Sequence, residues 1–244
     1  MANVLYNAFE TYSKHFKLVV FSAISLIIAL LIPLVSPLPT YLDLGSTFIR
    51  TASIFTNLTV VDIAIIIAST MFSILFLSFA IVMINITIKY RKTRVKVTRE
   101  IISALEKYTA KVFTILFLFT FILIAVNILS YHLSPKFSGI VTAIAGLLIT
   151  PLFFYAPSAV VIDEKKLRHA VKTSVSLFFK RFGYPVMWVI ISIALLTATD
   201  IIFMPFGVSI SGYMLLVIDS MLILPFLITL QGEMYINKYA MLRN

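Results

Sequence analysis

Asp219 is the residue whose surroundings most demand a chemical explanation. It falls near the middle of an apolar run from about Val208 to Leu230. An ionised carboxylate at that depth of a bilayer costs about 3 kcal/mol or more. No Lys or Arg occurs in any apolar run of the chain, so a countercharge is missing. Asp219 must therefore be protonated, hydrogen-bonded to Tyr213, Asn127 or a Ser/Thr hydroxyl, or exposed to water or a bound cation. Asp200 lies at the outer part of the preceding run, where water reaches it. Two readings stay open: a proton or cation site on a permeation path, and a neutral carboxyl that ties helices together.

The remaining inventory for chemistry is thin. His15, His132 and His169 lie in separate segments, none with a His or Glu at metal-ligand spacing. There is no Walker-type loop, HExxH or G-x-S-x-G, and seven glycines are too few for a phosphate cradle. The absence of Cys excludes disulfides, thiolate metal sites and cysteine nucleophiles. Asp163 and Glu164 stand before Lys165, Lys166, Arg168 and His169 and read as the N-terminal cap of a helix, favoured by its dipole. The sequence thus predicts no enzyme, cofactor or metal. Asn57-Leu58-Thr59 matches an N-glycosylation acceptor on a loop, whereas Asn85-Ile86-Thr87 sits within an apolar run.

The elements that would position these residues follow from composition. Of 244 residues, 61% are hydrophobic and 12% charged, with a mean hydropathy of +1.05. Soluble domains carry about 25% charged residues, so the chain reads as an all-α polytopic membrane protein. Its net charge of +10 then concerns a membrane surface rather than nucleic acid. Six spans are expected, at about Leu18–Val35, Ile63–Ile88, Val112–Leu133, Gly139–Ile162, Tyr184–Phe206 and Val208–Leu230. No cleavable leader is expected, and the first run is taken as retained. Pro151 and Pro157 predict a kinked or broken fourth span, and Pro225 lies inside the sixth. Leu44, Phe48, Ala52 and Phe55 are spaced for a short amphipathic helix between the first two spans, and GEMYINKYAMLRN reads as a polar tail.

With six spans, 18 of the 20 Lys and Arg residues fall on one side, and only Arg50 and Lys136 on the other. The positive-inside rule puts both termini and the loops 89–111 and 163–183 in the cytoplasm, at the plasma membrane. Leu5, Phe9, Tyr12 and Phe16 form one face of an N-terminal interfacial helix. Aligning Ala8, Ala104 and Ala170 superposes that face on Ile101, Leu105, Tyr108, Val112 and on Leu167, Val171, Ser174, Phe178. The pattern predicts a threefold repeat of interfacial helix, span out, loop and span in, over about 1–93, 94–163 and 164–244. Three such helices would form a cytoplasmic collar. Its Lys14, Arg94, Lys96, Arg99, Lys107, Lys165, Lys166, Arg168 and Lys172 sit at headgroup level, each worth about 1 kcal/mol of attraction to anionic lipid. The same charges equally serve to set topology.

An inward-going span ending in Pro157, then Asp163, then a helix carrying Ala170, Ser174 and Leu177 resembles a broad family. It is the six-span membrane domain found beside some glycerophosphodiester phosphodiesterases, with related free-standing membrane proteins of bacteria and archaea. The N-terminal helix and the ending Leu224-Pro225 … Met234-Tyr235 are similar too. The resemblance implies a membrane domain without the appended soluble phosphodiesterase, so that activity is not expected. The function expected is a non-enzymatic membrane scaffold or accessory subunit whose collar holds anionic lipid or a protein partner. The rival is a transporter or permease component with an intramembrane site around Asp219, Asp200, Asn127 and Tyr213.

Overall fold

The computed structural model describes residues 2–35, 40–43, 46–49, 59–93, 97–134, 136–206 and 208–237. The chain begins with α1 (Ala2–Lys14) and α2 (Phe16–Val35), joined at a turn where the His15 N–H still bonds to Thr11 O. A small antiparallel hairpin follows, β1 (Thr40–Asp43) with β2 (Ser46–Ile49), in the register Thr40↔Ile49 to Asp43↔Ser46. The rest is helical: α3 (Val60–Thr93), α4 (Val97–Leu133), α5 (Ser138–Phe153), α6 (Ala156–Ile162), α7 (Leu167–Lys180) and α8 (Gly183–Phe203). A 3₁₀ turn at Met204–Phe206 leads to α9 (Val208–Ile218), a π-helical turn at Asp219–Ile223 and α10 (Leu224–Ile236).

Among the described residues, five helical segments are long and apolar enough to cross a membrane: Val60–Tyr90, Ile102–Leu133, Ser138–Ile162, Gly183–Phe206 and Ser211–Ile236. A shorter apolar stretch, Phe21–Ile32, lies within α2. The 34-residue α3 rises about 50 Å against a hydrocarbon core of about 30 Å, so it projects well past the apolar layer. Along α5 and α8, Leu147, Leu148, Ile190 and Ile193 are exposed. Lipid tails accept such side chains as readily as a protein interior does.

The dense core lies at one end of the bundle. Three consecutive stretches are buried almost without interruption: Val82–Ile88 of α3, Phe154–Val161 around α6, and Gly232–Ile236 of α10. They pack on one another and are ringed by α1, the first turns of α4, and α7. The ring helices approach closely because each turns an alanine inward: Ala8, Ala104 and Ala170 are buried. α10 meets α3 at Gly232, where an added Cβ would lie 2.5 Å from Ile88 Cδ1 and 3.2 Å from Asn85 Oδ1.

Several expectations are corrected here. The supposed helix through Leu44, Phe48, Ala52 and Phe55 is a strand at Phe48, and the others lie outside the described residues. On α1 the buried stripe is Val4, Ala8 and Thr11, with Phe9 and Phe16 exposed, a rotation of one position from the predicted face. The last helix runs to Ile236, so Gly232–Ile236 is core rather than polar tail. The anticipated break in the fourth apolar segment is present, between α5 and α6, at Phe154 and Tyr155. Pro157 itself sits in the first turn of α6, where its missing N–H costs no helix bond.

Neighbouring side chains mend that break. Ser174 Oγ of α7 donates to Pro151 O (2.8 Å) and accepts from Tyr155 N (2.9 Å). A hydroxyl is thus inserted between two groups that an unbroken helix would pair directly. Gln231 Nε2 of α10 donates to Phe154 O at the same break. In α10, Pro225 offers no N–H to Met221 O four residues back, and Tyr12 Oη of α1 donates to that oxygen (3.4 Å). Replacing Ser174 by Ala removes both bonds from a buried site and is expected to cost about 2 kcal/mol. Ser174→Thr, which keeps the hydroxyl, is expected to lose less. Thermal unfolding in detergent checks this, and an unchanged midpoint for Ser174→Ala would mean the helix closes its own bond there.

Candidate anion site at the lysine-rich end

The connection from α6 to α7 carries the most concentrated charge among the described residues. Asp163 stands at the C-cap position of α6, and its carboxylate accepts from Tyr235 Oη (2.6 Å) with Lys165 Nζ at 3.5 Å. Glu164 follows at φ 55, the one non-glycine with positive φ among the described residues. That left-handed conformation costs a residue with a Cβ about 1 kcal/mol or more. The Lys165 N–H then turns back to Ala159 O (3.3 Å), and α7 begins after Lys166. The acids are therefore not the cap of α7, as expected from sequence. The cap position is Lys166, and no side chain bonds there.

Instead, Glu164 reaches across to two other helices. Its Oε1 accepts from Lys89 Nζ of α3 (2.7 Å) and its Oε2 from Lys107 Nζ of α4 (2.8 Å). The Tyr108 hydroxyl also bonds to it. Lys89, Lys107 and Lys111 stand 5.8, 5.0 and 5.7 Å from the Tyr108 ring centroid, so three ammonium groups surround one aromatic ring. The bonds from Lys107, Lys89 and Tyr108 hold the Glu164 carboxyl down at about 2, well below its ordinary 4.5.

Glu164 divides two cavities. One, of about 560 Å³, is an open groove along α7 lined by Lys165, Lys166, His169, Lys172 and Lys180 with Asp163. The other, of about 270 Å³, lies between α3 and α4 and is lined by Lys89, Tyr90, Ser103, Lys107 and Tyr108. Together their walls carry six lysines against Asp163 and Glu164.

Of the collar residues expected from sequence, Lys107, Lys165, Lys166 and Lys172 line these cavities. Arg168 is exposed on α7 outside the lining, and Lys14 pairs with Glu10 within α1. Arg94, Lys96 and Asn57 lie outside the described residues, as does the side chain of Arg99. Lys89, Lys111 and Tyr108 were not anticipated as a cluster. The available signal was the paired basic ends of two adjacent apolar runs, with an aromatic residue one position from Lys107.

The intramembrane candidates are dispersed. Asp219 is buried in the π-helical turn, with Thr199 Oγ1 3.3 Å from its Oδ1 and Asp200 within electrostatic reach. Asp219 Oδ2 and the buried Ser220 Oγ find no hydrogen-bond partner among the described residues. Asn127 is bound elsewhere, donating to Thr142 Oγ1 (3.0 Å), and Tyr213 is exposed. Sequence reasoning also missed Glu233, a buried carboxylate that accepts from Thr11 Oγ1 (2.8 Å) and ties α10 to α1. Among the described residues no group of three His, Asp or Glu side chains is placed to hold a metal.

The described residues are all helical apart from one short hairpin, with five helical segments long and apolar enough to cross a membrane and a lysine-lined groove beside the buried core. The chain matches no family model, no curated protein and no solved structure.

The depressed carboxyl fixes a pH dependence. A folded value below the unfolded one stabilises the fold above about 4.5, and the contribution disappears as pH falls towards about 2. Acid unfolding of the wild type is therefore expected to contain a component in that window that Glu164→Gln lacks. Identical acid profiles for the two proteins would remove the bridge from the stability of the fold.

Proposed function

We propose that this protein is a non-enzymatic integral membrane scaffold whose basic collar holds anionic lipid. The observation that carries the reading is the pair of cavities flanking Glu164, whose walls together carry six lysines and two acids. Such an excess of positive charge at the end of apolar helices suits the level of phosphate headgroups. The same surface would let the scaffold act as an accessory subunit, with lipid or a partner protein on the collar.

In this reading α2 is a first span, giving six, and both termini lie in the cytoplasm of a plasma-membrane protein. α1, the start of α4 and α7 are the collar helices of a threefold repeat. Three observations support the repeat. Ala8, Ala104 and Ala170 are all buried. Each collar helix packs on an inward-going segment: α1 on α10, α4 on α3, and α7 on α5 and α6. Tyr12 and Ser174, which the alignment equates, both bond to backbone carbonyls of proline-interrupted helices. The resemblance to the membrane domain beside glycerophosphodiester phosphodiesterases belongs to the same proposal.

A second reading, a transporter component, is favoured by the unpartnered Asp219 Oδ2 next to a π-helical turn. Broken helices and buried carboxylates mark ion sites in transporters.

Native mass spectrometry of protein purified in mild detergent decides between the two. Anionic phospholipid is expected to remain bound to the wild type and to be lost when Lys165, Lys166 and Lys172 are replaced by Gln. Lipid retention unchanged by those replacements defeats the scaffold reading, and a bound cation abolished by Asp219→Asn supports the transporter. Because the chain contains no Cys, orientation can be read by impermeant labelling. Ser176→Cys is expected to label from the cytoplasmic side and Lys136→Cys from the opposite side. Labelling of both from one side would refute the topology.

A further inference from the structure

We propose that the π-helical turn at Asp219–Ile223 binds a dehydrated monovalent cation, sodium, through oxygens of Asp219, Ser220 and Thr199. This deepens the transporter reading by naming its ion. It rests on that reading only for movement of the ion, since a bound cation locks a scaffold equally well.

Oxygen atoms without a donor gather on two successive residues. Asp219 and Ser220 are 1% and 0% exposed, and neither Asp219 Oδ2 nor Ser220 Oγ has a hydrogen-bond partner among the described residues. The backbone adds a third oxygen. Leu224 N–H donates to Asp219 O, five residues back, and Pro225 has no N–H. Ser220 O therefore lacks both its α-helical and its π-helical donor. Buried acceptors left unmet are costly and rare.

Thr199 serves Asp219 weakly. Its hydroxyl carries one proton and faces three acceptors: Leu196 O at 2.8 Å, Leu195 O at 3.2 Å and Asp219 Oδ1 at 3.3 Å. With the proton directed to the nearest, lone pairs of Thr199 Oγ1 remain for the carboxylate side. Two oxygens so placed, with no proton between them, match neighbouring ligands of one small cation. Oxygens about 2.4 Å from an ion, at right angles to each other, are about 3.4 Å apart.

The donor set selects the ion. No Lys or Arg occurs in residues 183–236, and Asp200 brings a second carboxylate within electrostatic reach. Acceptors without donors suit a hard cation, and interrupted membrane helices present carbonyls and carboxylates to such ions. One buried carboxylate with neutral oxygens balances a single charge. Among the described residues no group of three His, Asp or Glu side chains is placed for a multivalent metal. Asp219 Oδ2 and Ser220 Oγ are shut off from solvent, so the ion must be smaller than a water molecule. Sodium meets that condition and potassium does not. Because α2 and α8 both pack on the turn, a bound ion braces the helices around it.

The test uses full-length protein in detergent at neutral pH. About 100 mM sodium chloride is expected to raise the thermal unfolding midpoint by about 3 °C or more over equal choline chloride. Potassium chloride is expected to give the smaller shift. Equilibrium dialysis with radioactive sodium is expected to find one site per chain. Ser220→Ala is expected to weaken sodium binding about tenfold and Asp219→Asn to abolish it, while Lys136→Gln leaves it unchanged. A folded Ser220→Ala protein with wild-type sodium affinity overturns the site. So does a wild type that retains no sodium and melts alike in all three salts. If that wild-type midpoint shifts instead with pH, and Asp219→Asn removes the shift, the carboxyl takes a proton in place of the ion and the transporter reading survives. If sodium binds but proteoliposomes show no sodium flux dependent on Asp219, the transporter reading falls and the cation site stands.

Discussion

The hydroxyl of Ser174, set between Pro151 O and Tyr155 N, is the interaction on which this arrangement turns. In an apolar medium a broken helix exposes backbone groups that only protein can satisfy. A proline-bearing segment crossing lipid therefore needs a partner helix at the break. Here α7 supplies it from the side and α10 adds the Gln231 amide. The break redirects the chain so that α6 is buried on all sides, from Ala156 through Val161. The seating of α6 in turn fixes Asp163 against Tyr235 and places Glu164 between the lysines of α3 and α4. One side-chain hydroxyl thus couples the backbone of a spanning segment to the charge arrangement at the end of the bundle.

The dense core and the lysine cluster lie at that same end for a physical reason. Within lipid, apolar helices gain little from hiding apolar surface from one another, and association there rests on packing and polar contacts. Near water the hydrophobic effect returns, and burial of large side chains drives assembly. The structure follows this division. Tyr155, Tyr235, Ile84, Ile86, Ile88, Leu230 and Met234 are fully buried together, whereas α8 leaves most of its apolar surface outward. Small residues let the surrounding helices close on the core: Ala8, Ala104 and Ala170 on the ring, and Gly232 where α10 meets α3. The polar pairs across this core, Thr11 with Glu233 and Tyr235 with Asp163, tie the last helix to the first and to α6.

Five of the six expected apolar runs and their approximate limits were legible in the sequence because length and hydropathy alone decide them, whereas within α2 only the shorter stretch Phe21–Ile32 stands out. The break near Pro151 was legible because proline acts locally. What failed depended on packing. The face of α1 was displaced by one position because large aromatic residues were assumed to point inward, and here Ala8 and Thr11 do so while Phe9 faces out. The segment Gly232–Ile236 looked like a tail because Glu233 and nearby polar residues lower its hydropathy, although each polar group meets a partner inside the core. Asp163 and Glu164 looked like a helix cap from their position before α7. Their true partners, Tyr235, Lys89 and Lys107, are 72, 75 and 57 residues away. Glu164 at positive φ has no local sequence signal, since the residue that favours that conformation is glycine.

The handling of carboxylates differs through the molecule, and that difference carries the functional argument. Asp219 and Glu233 are buried, and each meets a hydroxyl, Thr199 and Thr11. A neutral donor adds no second charge to an apolar site, which keeps the desolvation cost to one group, although Asp219 Oδ2 has no hydrogen-bond partner among the described residues. Glu164 is half-exposed and meets two lysines directly, with a third at the same aromatic ring. Glu164 thus joins α3 and α4 to the link between α6 and α7 with one lysine from each helix, beside the end of the apolar segment that closes at Tyr90. In the proposed reading, the lysines that line the groove along α7 meet the anions of the membrane's headgroup layer.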